Sequence, residues 1–111
     1  MVIPMKDTKI SKHYNYKRGK RERFIRKYFG DDGDVVESFI IDKGHKHGPE
    51  RHEVTENGVI LIYNANSNIL VTKKIARPKQ IEELYSTKNK APPKWLLDIA
   101  EWHESMNMNY I

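Results

Sequence analysis

The chain has 111 residues, a length for one domain, and its 38% hydrophobic content with 11 aromatic residues builds a modest core. It has no cysteine, which excludes a disulfide framework and a thiolate metal site, and no run nears the ~18 apolar residues of a membrane helix. The net charge of +5 is uneven: residues 1–30 hold ten Lys/Arg against two acidic residues, and residues 31–111 hold ten against thirteen.

A basic end on a near-neutral body points to a polyanion partner, most often nucleic acid. Residues 1–6 lack the apolar stretch of a signal peptide. The expectation is a soluble, cytoplasmic protein with no membrane partner.

Residues 1–16 show no clear periodicity and are read as a basic, poorly ordered arm, with a single domain over 17–111. Tyr14 and Tyr16 interleave with His13, Lys12 and Lys17, a pattern that can stack on unpaired bases or dock the arm on the body. A helix is expected from about Lys20. Phe24, Ile25, Tyr28 and Phe29 make its apolar stripe, and Gly30 stops it in a left-handed cap. Lys17, Arg18, Lys20, Arg21, Arg23 and Arg26 are the candidate nucleic-acid contacts, because arginine's planar fork suits phosphate. Asp31-Asp32-Gly33-Asp34 reads as a turn.

Strands are expected over 35–41, 51–56, 59–63 and 69–75, an antiparallel meander. Asn57-Gly58 is the strongest hairpin signal. As a two-residue turn it pairs Glu56 with Val59, Val54 with Leu61 and His52 with Tyr63. Extending across the next loop, it puts His52, Tyr63 and Lys73 on a packed face, and Ile60, Ile62, Thr72 and Lys74 on a substrate-facing one. Pro78 opens a short helix to about Tyr85, and residues 86–92 are a linker. After Pro92-Pro93 a last helix carries Trp95, Ile99, Trp102 and Met106 on one stripe, read as core or as a homodimer seam. The fold class expected is α+β: a four-stranded antiparallel meander sheet, with the N-terminal basic helix and the C-terminal helices packed on one face.

The loop Asp42-Lys43-Gly44-His45-Lys46-His47-Gly48-Pro49 leads to Glu50-Arg51-His52 and holds three of the five histidines. A glycine-framed loop between strands is a place where chemistry concentrates. One imidazole of His45, His47 or His52 can take the 2′-hydroxyl proton of RNA while a second group protonates the leaving oxygen. Lys74, Lys73 and Arg77 are candidates to balance phosphate charge, and Thr72 or Tyr63 to hydrogen-bond it. A metal reading of His45, His47, His52 and Glu50 matches no standard zinc spacing, so neither metal nor other cofactor is expected. The bland reading is a phosphate-contact loop without catalysis, helped by Lys43, Lys46 and Arg51. There is no GxSxG, P-loop, dinucleotide or HExxH pattern.

The order of elements over 17–77, with Gly44-His45, His52, Thr72-Lys73-Lys74 and Arg77, resembles the small ribonuclease superfamily of barnase, EndoU, the tRNA-cutting colicins and RelE-type toxins. The resemblance implies metal-independent RNA cleavage, with His45 and His52 as acid and base and Lys74 and Arg77 on the phosphate. The partners expected are nucleic acid, with RNA favoured, and a cognate protein inhibitor or a nucleoprotein target. The chain departs from that pattern in crowding three histidines into one segment. The stretch from Asn57 to Asn64, with Ile75-Ala76-Arg77-Pro78, is similar to small proteins of bacterial mobile elements. The alternative is a non-catalytic binder of nucleic acid or nucleoprotein, such as a phage-borne inhibitor.

Overall fold

The computed structural model describes the backbone of residues 9–10, 12–44 and 46–106, and the side chains from residue 19 on. Its elements are β1 (Lys9–Ile10), α1 (Lys12–Tyr28), β2 (Val35–Ile41), β3 (Glu50–Thr55), β4 (Val59–Asn64), β5 (Ile69–Ile75), α2 (Pro78–Ser86) and α3 (Lys94–Ser105). Strands β2 to β5 form the expected antiparallel meander, and the class is α+β. Two additions lie in the segment expected as an arm. The two residues of β1 pair in parallel with Ile69 and Leu70 at the sheet edge, and α1 begins at Lys12, not near Lys20. Residues 12–18 contain no proline, glycine or β-branched residue, so helix runs on without an apolar stripe to announce it.

Gly30, at φ 87°, ends α1 as expected, its N–H donating to the Ile25 carbonyl at 3.0 Å. In the turn after it, the Asp31 carboxylate accepts the Gly33 N–H at 2.9 Å.

The Asn57-Gly58 turn is a hairpin, but its loop has three residues, Glu56 to Gly58. The Gly58 N–H donates to the Thr55 carbonyl at 3.0 Å, and only Gly58 takes positive φ, 73°. This is the turn-plus-bulge geometry of three-residue hairpins. It moves the register by one: Val54 pairs with Ile60, His52 with Ile62 and Arg51 with Tyr63. A one-residue slip exchanges faces, so His52 and Tyr63 are not neighbours on one face. Between β4 and β5, Tyr63 pairs with Leu70 and Ile62 with Thr72, which leaves Val71 in a bulge.

Both sheet faces are therefore apolar, and the helices divide between them. On one side Phe24 and Ile25 of α1 bury Val59, Leu61, Tyr63, Leu70 and Ile75. On the other, Ile81, Leu84 and Tyr85 of α2 with Leu96 and Ala100 of α3 bury Phe39, Val54, Ile60 and Ile62. The expected open surface at Ile60 and Ile62 is thus the floor under α2 and α3. On α3 the buried stripe is Leu96, Ala100 and His103, while Trp95 and Trp102 stay half-exposed.

His103 has no accessible surface and packs between Phe24 and Phe29, 5.7 Å from each ring. Its Nδ1–H donates to the Ala76 carbonyl at 3.0 Å, and Nε2 has no partner among the described residues. Burial holds this imidazole below its ordinary value, with the Ala76 bond offsetting part of the effect. The unfolded chain takes the proton near its usual pKa of about 6.5, and the folded chain resists to lower pH. The stability from a neutral His103 is complete above that value and is lost as pH falls through the folded one. Thermal melts should be flat from pH 8 to 7 and fall towards pH 5. His103→Leu should melt lower at pH 7 and show a shallower fall; an unchanged slope would place the titration elsewhere.

Candidate functional site

The loop between β2 and β3 is clasped by the loop between β4 and β5. Asn64 Nδ2 donates to the His47 carbonyl at 2.8 Å, and the Ala65 N–H donates to the Pro49 carbonyl at 3.0 Å. The Asn64 Oδ1 accepts the N–H groups of Asn66 and Ser67, each at 3.0 Å, so one asparagine braces both loops. Gly48, at φ 87°, passes so close that a Cβ there would lie 2.7 Å from Asn66 Nδ2. The His47 side chain is exposed, and His45 lies outside the described residues.

His52 sits on the α2 side of the sheet. It lines a cavity of about 240 Å³ whose floor is Ile41, Ile60 and Ile62 and whose polar wall includes Lys43, Lys74, Gln80 and Glu83. The register brings this about: Ile62 lies beside both His52 and Thr72, and Ile60 beside Lys74. The two-residue turn would have put His52 and Lys74 on opposite faces. His52 Nε2 is 3.0 Å from Glu50 Oε1, two residues back on the same strand face. Burial pushes the imidazole below its ordinary value; the Glu50 carboxylate pulls it back, and Lys74 and Lys43 add smaller depressions. The net shift is downward, so His52 is neutral at pH 7 and able to accept a proton.

The other expected phosphate ligands are used elsewhere. Lys73 is 3% exposed, and its ammonium pairs with Glu22 and, at 2.9 Å, with Asp32. Arg21, expected on the outer surface of α1, is also buried: it donates to Thr72 Oγ1 at 2.8 Å and to the Lys73 carbonyl. That contact takes up the Thr72 hydroxyl as well. Tyr63 lies on the α1 side under Arg51, whose guanidinium carbon is 4.4 Å from the ring centre, and burial raises its hydroxyl pKa. These corrections share one cause. Tyr63 and Lys73 lie on the face that α1 covers, and Arg21 of α1 reaches the Thr72 hydroxyl from that side, where a cation remains only if carboxylate or backbone oxygens meet it.

Arg77 is exposed just before α2, its N–H donating to Gln80 Oε1 at 2.9 Å, and it does not line the cavity. Lys20, Arg23 and Arg26 are exposed on α1. The side chains of Lys17 and Arg18 lie outside the described residues. Among the described residues no three His, Asp or Glu side chains converge as a metal-ligand set, and no helix is long and apolar enough to cross a membrane. Sequence reading did not bring Lys43 and Glu83 into one cavity with His52, and Glu83 carries no local signal. It also missed His103, whose spacing after Leu96 and Ala100 marks the inner stripe of α3. Comparisons with family models, curated proteins and solved structures return no match.

The neighbouring lysines make a direct test. Lys73→Met strands the Asp32 and Glu22 carboxylates and should cost about 3–5 kcal/mol of unfolding free energy, as losing one partner of a buried pair does. Lys74→Met should change it by about 0.5 kcal/mol or less, as expected away from buried networks. Urea unfolding of both variants measures this, and equal losses would show that the burial is assigned to the wrong lysine.

Proposed function

We propose that the chain is a small, metal-independent endoribonuclease whose chemistry runs in the cavity between the sheet and α2. The observation that carries this reading is that His52 and Lys74 line one cavity, with Lys43 beside them. With Nε2–H turned to Glu50, the Nδ1 lone pair of His52 is the base. It takes the proton of an RNA 2′-hydroxyl as that oxygen attacks the adjacent phosphorus. The bond from phosphorus to the 5′-oxygen breaks, leaving a 2′,3′-cyclic phosphate and a 5′-hydroxyl. Lys74 and Lys43 balance the negative charge that builds on the phosphorane oxygens. The 5′-oxygen collects its proton from a donor on the loop of residues 42–49, for which His45 and His47 are the candidates.

A second reading, a non-catalytic nucleic-acid or nucleoprotein binder, is favoured by the exposed cations of α1. Incubating the protein with end-labelled RNA of mixed sequence, with and without chelator, separates the two. Cyclic-phosphate products are expected, unchanged by chelator. His52→Ala and Lys74→Ala should each slow cleavage on the order of 10²–10³, the scale for a lost base or charge stabiliser. The rising limb of the pH–rate profile should lie below the ordinary imidazole value. Full cleavage by the His52/Lys74 double mutant would overturn the assignment, and no cleavage by the wild type would leave the binder.

A further inference from the structure

We propose that the outer face of α1, closed by Trp102 of α3, is a docking surface for single-stranded RNA, separate from the His52 cavity. The choice of RNA rests on the substrate reading above; the surface itself is argued from its own geometry. Lys20, Arg23, Phe24, Lys27 and Tyr28 recur at helical spacing and line a hollow of about 470 Å³. Arg26 is exposed on the same helix. The one carboxylate within residues 19–28, Glu22, is drawn to Lys73, so nothing on the helix neutralises the outer cations. Among the described residues none of Lys20, Arg23, Arg26 and Lys27 is held in a salt bridge.

The aromatics decide which polyanion fits. Tyr28 and Trp102 are each 37% exposed, with ring centres 5.1 Å apart and planes 81° to one another. Phe24 lies buried beneath both, 4.8 Å from Tyr28 and 6.0 Å from Trp102, and fixes their pose. Lys27 Nζ is 5.3 Å from the Tyr28 ring centre, so a cation stands beside a stacking surface. Unpaired bases stack on such rings while the cations take the phosphates. A duplex keeps its bases stacked inside and offers the rings nothing.

The sheet separates this surface from the cavity. α1 covers the face of Leu61 and Leu70, whereas His52 and Lys74 lie on the face of Ile60 and Ile62. The α1 surface therefore governs affinity without touching the reacting atoms.

The test uses a fluorescein-labelled, non-cleavable 2′-O-methyl RNA 12-mer, with anisotropy titrations at several salt concentrations. The wild type should bind it. Arg23→Ala/Lys27→Ala should flatten the plot of log affinity against log salt by about 1.4, at ~0.7 per cation for a single strand. Tyr28→Leu should weaken binding roughly five- to 150-fold, the scale of one lost base stack. In a Trp95→Phe background, binding should quench the remaining tryptophan, Trp102. If Tyr28→Leu fails to fold, the exposed cation pair still decides. An unchanged salt slope and affinity in the cation variant overturns the proposal. So does duplex RNA competing as well as single strand, or phosphatidylglycerol vesicles binding the protein when RNA does not. The binding result stands whether or not the wild type cleaves RNA, so the two proposals fail separately.

Discussion

The turn from Thr55 to Gly58 is the constraint on which the other elements depend. Thr55 Oγ1 donates to the Asp32 carbonyl at 2.6 Å and accepts the N–H groups of Asn57 and Val59, each at 3.2 Å. Gly58 closes the turn and offers its carbonyl to the Ala76 N–H at 2.9 Å. Its missing side chain leaves the space that His103 and Ile99 fill, since a Cβ there would lie 2.7 Å from the imidazole. Ala76 in turn accepts from that imidazole. The entry to β2, the β3–β4 turn, the end of β5 and the last helix thus meet at one turn, Thr55 to Gly58. A side chain at Gly58 would combine a strained φ with a clash against a buried ring.

That turn also sets which polar groups meet. The β4–β5 pairing puts Leu61 beside Lys73 and Ile60 beside Lys74, and the three-residue loop brings His52 to the side of Lys74. Adjacent lysines then meet opposite surroundings. Lys73 points under α1, where Glu22 and Asp32 compensate its charge, and Lys74 points to the half-open cavity with His52. A buried ion cluster of this kind adds little net stability, because desolvation offsets the attraction, but removing one member is costly. Here it fixes how α1 lies on the sheet: Arg21 and Glu22, adjacent on the helix, both reach β5.

Local signals were legible where a single residue type decides a backbone shape. Gly30 ends α1, Pro78 opens α2, and the four expected segments became four strands. The register was not, because Asn-Gly suits both a two-residue turn, where both residues take positive φ, and a three-residue loop, where Gly58 alone does. Composition favours the first, and the hydrogen bonds of Thr55 favour the second. Helical spacing puts Arg21, four residues before Ile25 and seven before Tyr28, on the apolar side of α1 and Arg23 opposite, but it does not show the partner that Arg21 meets there. That partner, Thr72, lies 51 residues away. The candidate histidine and lysine were both legible as residue types. Their meeting in one cavity was not, since it follows from the register.

The same geometry separates two kinds of positive charge. Cations met by carboxylates or backbone oxygens, Arg21 and Lys73, hold the fold and are closed to a partner. Lys20, Arg23, Arg26 and Lys27 face outward, because the inner face of α1 is filled by Phe24 and Ile25. Lys43 and Lys74 are the exception on the other side of the sheet, and they share a half-open cavity with a histidine whose charged form is disfavoured. A cation beside a neutral imidazole is poor at stabilising the fold but well suited to receiving a phosphate. The anion would supply the missing charge and, among the described residues, would displace no salt bridge to the lysines, while the imidazole stays free to take a proton.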